Sequence, residues 1–352
     1  MSGDTNGKII TVLGPIDPDK LGSTLMHEHL FIDATKGFRE PDDPWEKRLA
    51  YAPISLENFG YIMSDPGHHR ENLFHKDVGL QIDEVTKFKE AGGSSIIDVT
   101  PNDLGRYPEG LKIVAERTGV NIVCGTAYYV AGFAREDMDS KTVEEIRDTF
   151  VRELTDGIGE TGIRAGIIGE LGNTEPWVES EKKVLRAGAA AQRETGAAIT
   201  IHPGRSRASP VAILKLLKEE GADMDRVIMG HLDRTLDQME EYDAVASFGS
   251  YMELDLFGYM CQYPLWTTTF PFMGDSKAAV MVKDLIDAGY VEKILLSHDV
   301  AYKTRFTKYG GYGLTFVQKS VVPRLLKLGV TEDQINQMLI RNPKTVLPIK
   351  ST

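Results

Sequence analysis

The sequence predicts an α/β fold with a (β/α)₈ TIM barrel, and two observations support this. Short apolar runs alternate with longer amphipathic stretches almost to the end of the chain, which is the pattern of βα units around a parallel sheet. The chain has 352 residues, and barrels of this type run from about 200 to over 400 residues. No linker, low-complexity segment or repeat other than the βα unit interrupts the sequence. We therefore expect residues 1–352 to form one domain.

Eight apolar runs are the candidate barrel strands. They are residues 24–29, 95–100, 121–127, 165–171, 198–202, 226–231, 250–255 and 293–299. Helical patterns lie between them, at residues 80–91, 143–156, 179–194, 210–220 and 278–288. Eight strands in this arrangement fit a closed barrel over residues 24–345, whose chemistry is expected on the loops that follow the carboxyl ends of the strands.

Three segments depart from the repeat. Residues 1–22 are expected to form an N-terminal extension with a short β-hairpin that spans 8–21 and turns at residues 17–20. Residues 36–75 make a long, polar first βα loop, with short helices. Residues 256–275 are rich in aromatic residues, glycine and proline, and predict a long seventh loop.

Composition excludes several classes of partner. A formal net charge of −12 argues against sequence-independent binding to nucleic acid or to an anionic membrane, because both need a basic surface. No uninterrupted apolar run approaches the length that spans a bilayer. Two cysteines cannot make a disulfide framework, and the first residues lack a basic segment followed by an apolar core, so no secretory signal is visible. These observations predict a cytoplasmic enzyme.

His27 and His29 form the most informative motif. Side chains two apart on a β-strand point to the same face, so this pair offers two imidazoles to one metal ion. Glu28 and His298 alternate with predicted ligands and are expected to point away from the metals. For Glu28 a structural role is the simpler interpretation, and for His298 a supporting role behind the ligands stays open.

Polar residues also end four other predicted strands. These residues are Glu170, His202, His231 and Asp299. A histidine at a strand end is often a packing residue, and a strand-end aspartate is often a helix cap. Glu170 is harder to explain in this way, because a buried carboxylate without a partner is costly. Together with the first motif they predict a site for two divalent ions, with zinc as the first choice and manganese or cobalt as alternatives.

Basic residues follow the same strands, although the chain is acidic overall. They are Arg205, Arg207, Arg234, Lys303 and Arg305. Guanidinium groups at a catalytic rim suit a carboxylate, sulfonate or phosphate on a small anionic substrate. The alternative is that they pair with nearby acids such as Asp233 and Asp237.

Aromatic residues on the candidate loops could line the same pocket, although such residues are as often involved in loop packing. They are Tyr128, Tyr129, Phe257, Tyr259 and Trp266. We predict substrate contacts for Tyr128 and for the basic residues Arg205, Arg234, Lys303 and Arg305.

The motifs resemble the phosphotriesterase branch of the amidohydrolase superfamily, and within it the phosphotriesterase-related proteins. They lie at residues 11–14, 27–29, 166–172, 201–206, 231–235, 254–258, 298–299, 308–313 and 342–343. The resemblance covers nearly the whole chain. It implies that one ion is held by His27, His29, Glu170 and Asp299, and the other by Glu170, His202 and His231. Members of this family are often dimers, so a homodimer is implied as well.

One position departs from the phosphotriesterases and lactonases of this branch, which bridge their metals with a carbamylated lysine on the fourth strand. Residues 164–176 contain no lysine, and Glu170 is the only carboxylate in the strand itself. The related proteins similarly carry glutamate there, one position away from the lysine. A one-residue shift changes faces on a regular strand, so we expect a local irregularity, or a different side-chain reach, at Glu170.

The resemblance also implies an activity. Phosphotriesterase-related proteins are associated with hydrolysis of the amide bond of N-acetyltaurine and similar N-acyl amino acids. In the implied mechanism a metal-bridging hydroxide attacks the carbonyl, and Asp299 moves the proton to the leaving group. The same site could instead open a lactone or cleave a phosphoester. A non-catalytic scaffold is a further alternative, although scaffold relics usually lack metal ligands and this set is complete.

Overall fold

The computed structural model describes residues 5–261 and 271–350 and shows the predicted TIM barrel. Its eight parallel strands follow one another around the sheet in chain order. In that order they are Thr24–Glu28, Ser95–Asp98, Asn121–Thr126, Ile167–Gly172, Ile199–His202, Val227–Met229, Tyr251–Leu254 and Ile294–Leu296. Each overlaps its predicted run, so the eight strand predictions are confirmed.

The eighth strand closes the barrel against the first. The backbone N–H of Asp299 donates to the carbonyl of His27 at 3.1 Å. The hydroxyl of Ser297 lies 2.9 Å from the same carbonyl and accepts from the N–H of His27 at 3.0 Å. Closure therefore brings two predicted metal ligands, which are 272 positions apart in the sequence, onto neighbouring strands.

Helices cover the outside of the barrel. The first loop contains Pro44–Tyr51 and Leu56–Ser64, and the helix Val78–Glu90 follows it. The later strands are followed by Pro108–Thr118, Val143–Thr155, Glu179–Thr195, Ser209–Glu219, Met239–Ala246 and Asp275–Asp287. The last strand is followed by Val322–Lys327, Glu332–Asn336 and Asn342–Val346, with π-helical turns at Val317–Val321 and Gln337–Arg341. The five predicted helices are confirmed to within a few residues at each end.

Local chemistry explains several helix ends. Asp43 accepts from the backbone N–H groups of Trp45 and Glu46, and Pro44 occupies the first helical position. Thr142 caps its helix in the same way from the N–H of Glu145, whose side chain accepts from the N–H of Thr142 in return. None of the helices in residues 5–261 and 271–350 is long and apolar enough to cross a membrane.

Two apolar layers make the core. The inner one fills the barrel and includes Met26, Ile97, Ile167 and Leu295, with Ile9 of the N-terminal hairpin packed against it. The outer one lies between strands and helices. Since apolar side chains occupy the inside of the barrel, the predicted polar site residues lie at the carboxyl end of the barrel.

The N-terminal hairpin is present, but its predicted turn was wrong. Ile9–Thr11 pairs with Gly14–Ile16, so the chain reverses at residues 12–13 rather than at residues 17–20. Gly14 has a φ of +109°, which a residue with a side chain rarely adopts, and the Thr11 hydroxyl donates to its carbonyl at 2.7 Å. Residues Pro18–Lys20 form a 3₁₀ turn instead.

The long first loop is present as well. It contains the expected short helices and also a small sheet, in which Ile32–Asp33 pairs with Phe74–His75. Of the seventh loop, residues 256–261 and 271–275 are described; Trp266 lies outside the described residues.

Candidate metal centre

Six predicted ligands meet at the carboxyl end of the barrel. They are His27, His29, Glu170, His202, His231 and Asp299. All are buried except Asp299, whose side chain is 17% exposed. The barrel closes around five strand ends that carry them, so residues far apart in sequence share one small volume.

Glu170 stands at the centre of the cluster. One of its oxygens, Oε1, lies 3.3 Å from His29 Nε2. The other, Oε2, lies 2.9 Å from His202 Nδ1, 3.2 Å from His231 Nε2 and 3.4 Å from His27 Nε2. Each oxygen therefore faces a different set of imidazoles, which is the arrangement that a carboxylate shared by two ions needs.

A second group of possible ligands joins His27, His29 and Asp299, whose ligand atoms lie within 4.8 Å of one another. Asp299 Oδ1 is 3.2 Å from His29 Nε2. His27, Glu170 and His231 form another such group. The two groups meet at His27, beside Glu170.

A local irregularity brings Glu170 to this position, as expected. The pairing of its strand with the next shifts register between Ile168 and Leu171. Ile167 lies in the inner core layer and Ile168 and Leu171 lie in the outer layer, so Glu170 reaches the inside three residues after Ile167. Gly169 makes the irregularity possible, because its φ is +141° and a Cβ there would lie 2.3 Å from the Thr200 side chain.

Two of the predicted ligands adopt left-handed backbone conformations, which residues with side chains seldom do. The φ of His231 is 54° and the φ of Asp299 is 52°. Asp255 fixes His231 twice, since it accepts from the backbone N–H at 2.9 Å and lies 2.8 Å from Nδ1. The prediction missed Asp255, although it too is a polar residue at the end of a barrel strand. Left-handed backbone conformations such as those of His231 and Asp299 are common at functional sites.

The charges suit cation binding. Burial by itself would raise the pKa of Glu170, but His202 and His27 together hold it well below its usual range. Burial, with Arg234 nearby, lowers the pKa of His231 to about 4. Burial likewise holds the pKa of His202 well below its usual range. An ionised carboxylate and neutral imidazoles are the forms that bind metal.

His27 and His29 show the opposite shift. Burial by itself would lower the pKa of His29, but hydrogen bonds to Asp299 and Glu170 raise it to about 10. Burial would likewise lower the pKa of His27, but the nearby Asp255 and Glu170 raise it well above its usual range. The carboxylates thus stabilise the positively charged form of both rings. Both ring nitrogens of His27 are buried without a hydrogen-bond partner in the described part of the chain. This donor set therefore fits divalent cations.

The cluster opens into a cavity of about 390 Å³. His29, Glu170, His202 and Asp299 form part of its wall. Its apolar wall residues include Ile32, Leu73, Leu104, Val130 and Phe133, and its polar ones include Arg39, Tyr129, Asn173, Arg205, Arg234, Tyr259 and Tyr302. Pockets of about 300–1,000 Å³ with a few placed polar groups are typical of small-molecule sites.

Two of the predicted basic residues line this cavity. Arg234 is buried, and its Nη2 donates to the Pro203 carbonyl at 3.1 Å. Its Nη1 is buried without a hydrogen-bond partner among the described residues. Burial, followed by repulsion from Arg234, lowers the pKa of Arg205 to about 9. Two guanidinium groups therefore share one wall.

The other three predicted substrate contacts lie elsewhere in the described structure. Lys303 pairs with Glu71 at 3.1 Å. Arg305 donates to the carbonyls of Asp299 and Phe257, so it supports the loop beneath the cavity. Tyr128 packs its ring near Phe150, whereas the next residue, Tyr129, lines the cavity. Of the residues described, none of these three is in the cavity wall, because loop packing and ion pairing direct their side chains away.

The model of the phosphotriesterase family matches residues 7–347. This chain belongs to the phosphotriesterase family. That family consists of metal-dependent hydrolases, and the chain is accordingly a hydrolase, as predicted. The structure contributes a set of histidines and carboxylates that could hold the metal.

Several relatives match over nearly their whole length. The N-acetyltaurine hydrolase of Danio rerio is 38% identical over 99% of both chains. The phosphotriesterase-related protein of Nematostella vectensis is 38% identical over 98% of this chain and 100% of its own. Among solved structures, the resiniferatoxin-binding protein of Rhodobacter sphaeroides superimposes with a TM-score of 0.94 at 35% identity, covering 97% of this chain and 96% of its own.

A more distant solved structure contains a bound ligand. The Escherichia coli phosphotriesterase homology protein, described as complexed with phosphate in its active site, has a TM-score of 0.77 at 27% identity, over 94% of this chain and 99% of its own. Both structural matches confirm the predicted fold.

Glu170→Ala should reduce the metal content from two ions per chain to at most one, because the carboxylate at the centre of the cluster, which both ions would share, is lost. Metal analysis after dialysis measures this. Metal loading of the wild type should not depend on dissolved CO₂. Glu175→Ala is the matched control, since that nearby carboxylate accepts from the Ser206 hydroxyl at 2.7 Å. Two ions retained in Glu170→Ala would refute the assignment.

Gly169→Ala should destabilise the protein by at least about 1–3 kcal/mol, the usual cost of forcing a residue into such a backbone region. It should also weaken metal binding, because the strand must move for Glu170 to reach the cluster. Thermal unfolding and metal titration measure the two effects. Gly132→Ala is the control, since a Cβ there would meet nothing within 4 Å. Equal behaviour of the two variants would contradict the prediction.

Proposed function

We propose that this protein is a binuclear metal-dependent amidase that hydrolyses small anionic N-acyl compounds such as N-acetyltaurine and N-acyl amino acids. One observation carries the proposal: the histidine and carboxylate cluster opens into the same cavity that Arg205 and Arg234 line. The names of the relatives from Danio rerio and other animals support the choice of substrate.

In this proposal His27, His29, Glu170 and Asp299 hold one ion, and Glu170, His202 and His231 hold the other. Imidazole and carboxylate ligands favour zinc, with manganese or cobalt as alternatives. When bound, such ions polarise a carbonyl group and make water acidic enough to act as a nucleophile near neutral pH.

Asp299 is the proposed proton carrier. It is the most exposed member of the cluster and faces the cavity. Burial by itself would raise the pKa of Asp299, but the neighbouring His29 and His231 hold it well below the usual range. The side chain is therefore an ionised carboxylate before the reaction begins. It can then accept the proton of the attacking water and deliver it to the amide nitrogen as the C–N bond breaks. The products are a carboxylic acid and an amine.

The cavity has walls of two characters, which match the two ends of such a substrate. Arg205 and Arg234 provide positive charge for a sulfonate or carboxylate, with Tyr259 and Tyr302 beside them in the wall. The apolar residues of the first three loops, such as Leu104 and Phe133, would face the acyl group. Because an apolar wall accepts the acyl chain of a lactone or ester equally well, hydrolysis of a lactone or phosphoester on a small anionic substrate is the second candidate.

A cytoplasmic location, the absence of a nucleic-acid partner and a homodimeric state are further proposals. The first two rest on composition and charge, and the dimer rests on the family resemblance.

Protein loaded with zinc or manganese should release acid and amine from N-acetyltaurine faster than it opens lactones or cleaves a phosphotriester. Asp299→Asn should abolish this turnover, because the substituted amide cannot accept the proton and is a poorer ligand. Measurement of the products over that substrate panel tests the proposal. Preferred turnover of lactones or esters would replace the amidase proposal, and a protein without stoichiometric metal would support the scaffold alternative.

Arg234→Gln should raise KM for N-acetyltaurine by about 10- to 100-fold, because a hydrogen bond to a charged group contributes about 1.5–3 kcal/mol. KM for the uncharged analogue N-acetylethanolamine should stay the same. Arg207→Gln is the matched control, since Arg207 pairs with Asp237 and Glu241. An equal loss on the charged and uncharged substrates would contradict a role in anion recognition.

A further inference from the structure

Glu28 lies between the two histidines of the first motif and faces the opposite side of the strand. Its side chain is fully buried. Four groups surround its carboxylate, and all belong to the segment 297–300. Oε1 lies 2.9 Å from the Ser297 hydroxyl, 3.0 Å from the backbone N of His298 and 2.7 Å from His298 Nδ1, and Oε2 accepts from the N–H of Val300 at 3.0 Å.

These contacts enclose Asp299. The backbone N–H groups directly before and after it are bound by the two oxygens of one carboxylate. Its own N–H donates to the His27 carbonyl, next to Glu28 in the chain. Because Asp299 has a φ of 52°, its backbone needs support from outside the segment.

His298 extends the contact to the C-terminal part of the fold. Its Nε2 accepts from the backbone N–H of Val317 at 2.9 Å, so Nδ1 is the nitrogen that carries the hydrogen donated to Glu28. Val317 begins the π-helical turn Val317–Val321. Glu28 is thus anchored on the far side from the metal ligands.

We propose that Glu28 is a positioning residue that sets the geometry of the ligand group His27, His29 and Asp299. This inference rests on the proposed function of the site. Glu28 fixes the turn that carries Asp299 to the strand that carries both histidines, so the three ligands move as one unit. Partners behind metal ligands commonly affect metal affinity or activity by about 10- to 100-fold when they are removed.

The chemistry of the contacts requires a carboxylate. Every partner of Glu28 in this segment donates a hydrogen, and an ionised carboxylate only accepts. Glutamine has nearly the same shape, but its NH₂ group would face an N–H of residue 298 or 300. Glu28→Gln therefore changes hydrogen bonding with little change in packing volume.

The experiment compares wild type, Glu28→Gln and Glu84→Gln. Glu84 is the matched control because it is also buried and also holds the loop after the eighth strand, through the Thr307 hydroxyl and Lys87. Chelator competition measures the affinity for each zinc ion. Thermal unfolding measures stability, and kinetics give kcat and KM for N-acetyltaurine.

We expect Glu28→Gln to bind one of its two ions about 10- to 100-fold more weakly, with kcat reduced to a similar extent and KM unchanged. Glu84→Gln should lose stability without loss of zinc affinity. Wild-type zinc affinity in Glu28→Gln, or an equal loss in Glu84→Gln, would overturn the inference. A wild type that binds two ions but does not cleave the amide would refute only the proposed substrate.

Ser297→Ala provides a second test if Glu28→Gln does not fold. It removes one donor to Glu28, together with the hydroxyl that accepts from the N–H of His27, and leaves the backbone N–H groups of residues 298 and 300 in place. We expect a several-fold loss of affinity for one ion. Unchanged affinity for both ions would count against Glu28 as a positioning residue.

Discussion

The carboxylate of Glu170 lies among four imidazoles at the carboxyl end of the barrel, and the charge balance around it constrains the rest of the site. Burial disfavours an isolated anion there. The histidines hold the pKa of Glu170 low, while Glu170, Asp255 and Asp299 hold those of His27 and His29 high. Such a cluster is satisfied either by shared protons or by cations. The same arrangement that makes it costly without positive charge makes it suitable for metal.

Backbone geometry is adjusted around this cluster in several places. The fourth strand shifts register before Glu170, and His231 and Asp299 adopt left-handed conformations. Carboxylates behind the ligands stabilise the last two: Asp255 supports His231, and Glu28 supports Asp299 through its flanking N–H groups. The regular barrel provides the frame, and these local departures direct the ligands.

Substrate selection depends on a different part of the molecule. The cluster is built from strand ends, but the cavity above it is walled by loops, with Arg205 and Arg234 after the fifth and sixth strands and most of the apolar residues on the first three loops. Since loop side chains can be exchanged without disturbing the strands, the same metal cluster can serve different substrates in one family. This agrees with the differently named relatives whose folds superimpose closely.

Periodicity and strand-end residues were sufficient, in the sequence by itself, to determine the barrel, its eight strands and the six residues that meet at its carboxyl end. This was possible because strand and helix patterns are local, and because the carboxyl ends of parallel strands must meet. The register shift at Gly169, the supports from Asp255 and Glu28, and the hairpin turn needed the tertiary structure. So did the choice between Arg234, which lines the cavity, and Lys303, which pairs with Glu71 at a separation of 232 positions. The direction of a side chain at a bulge or on a loop depends on partners distant in sequence, and only the folded chain brings those partners together.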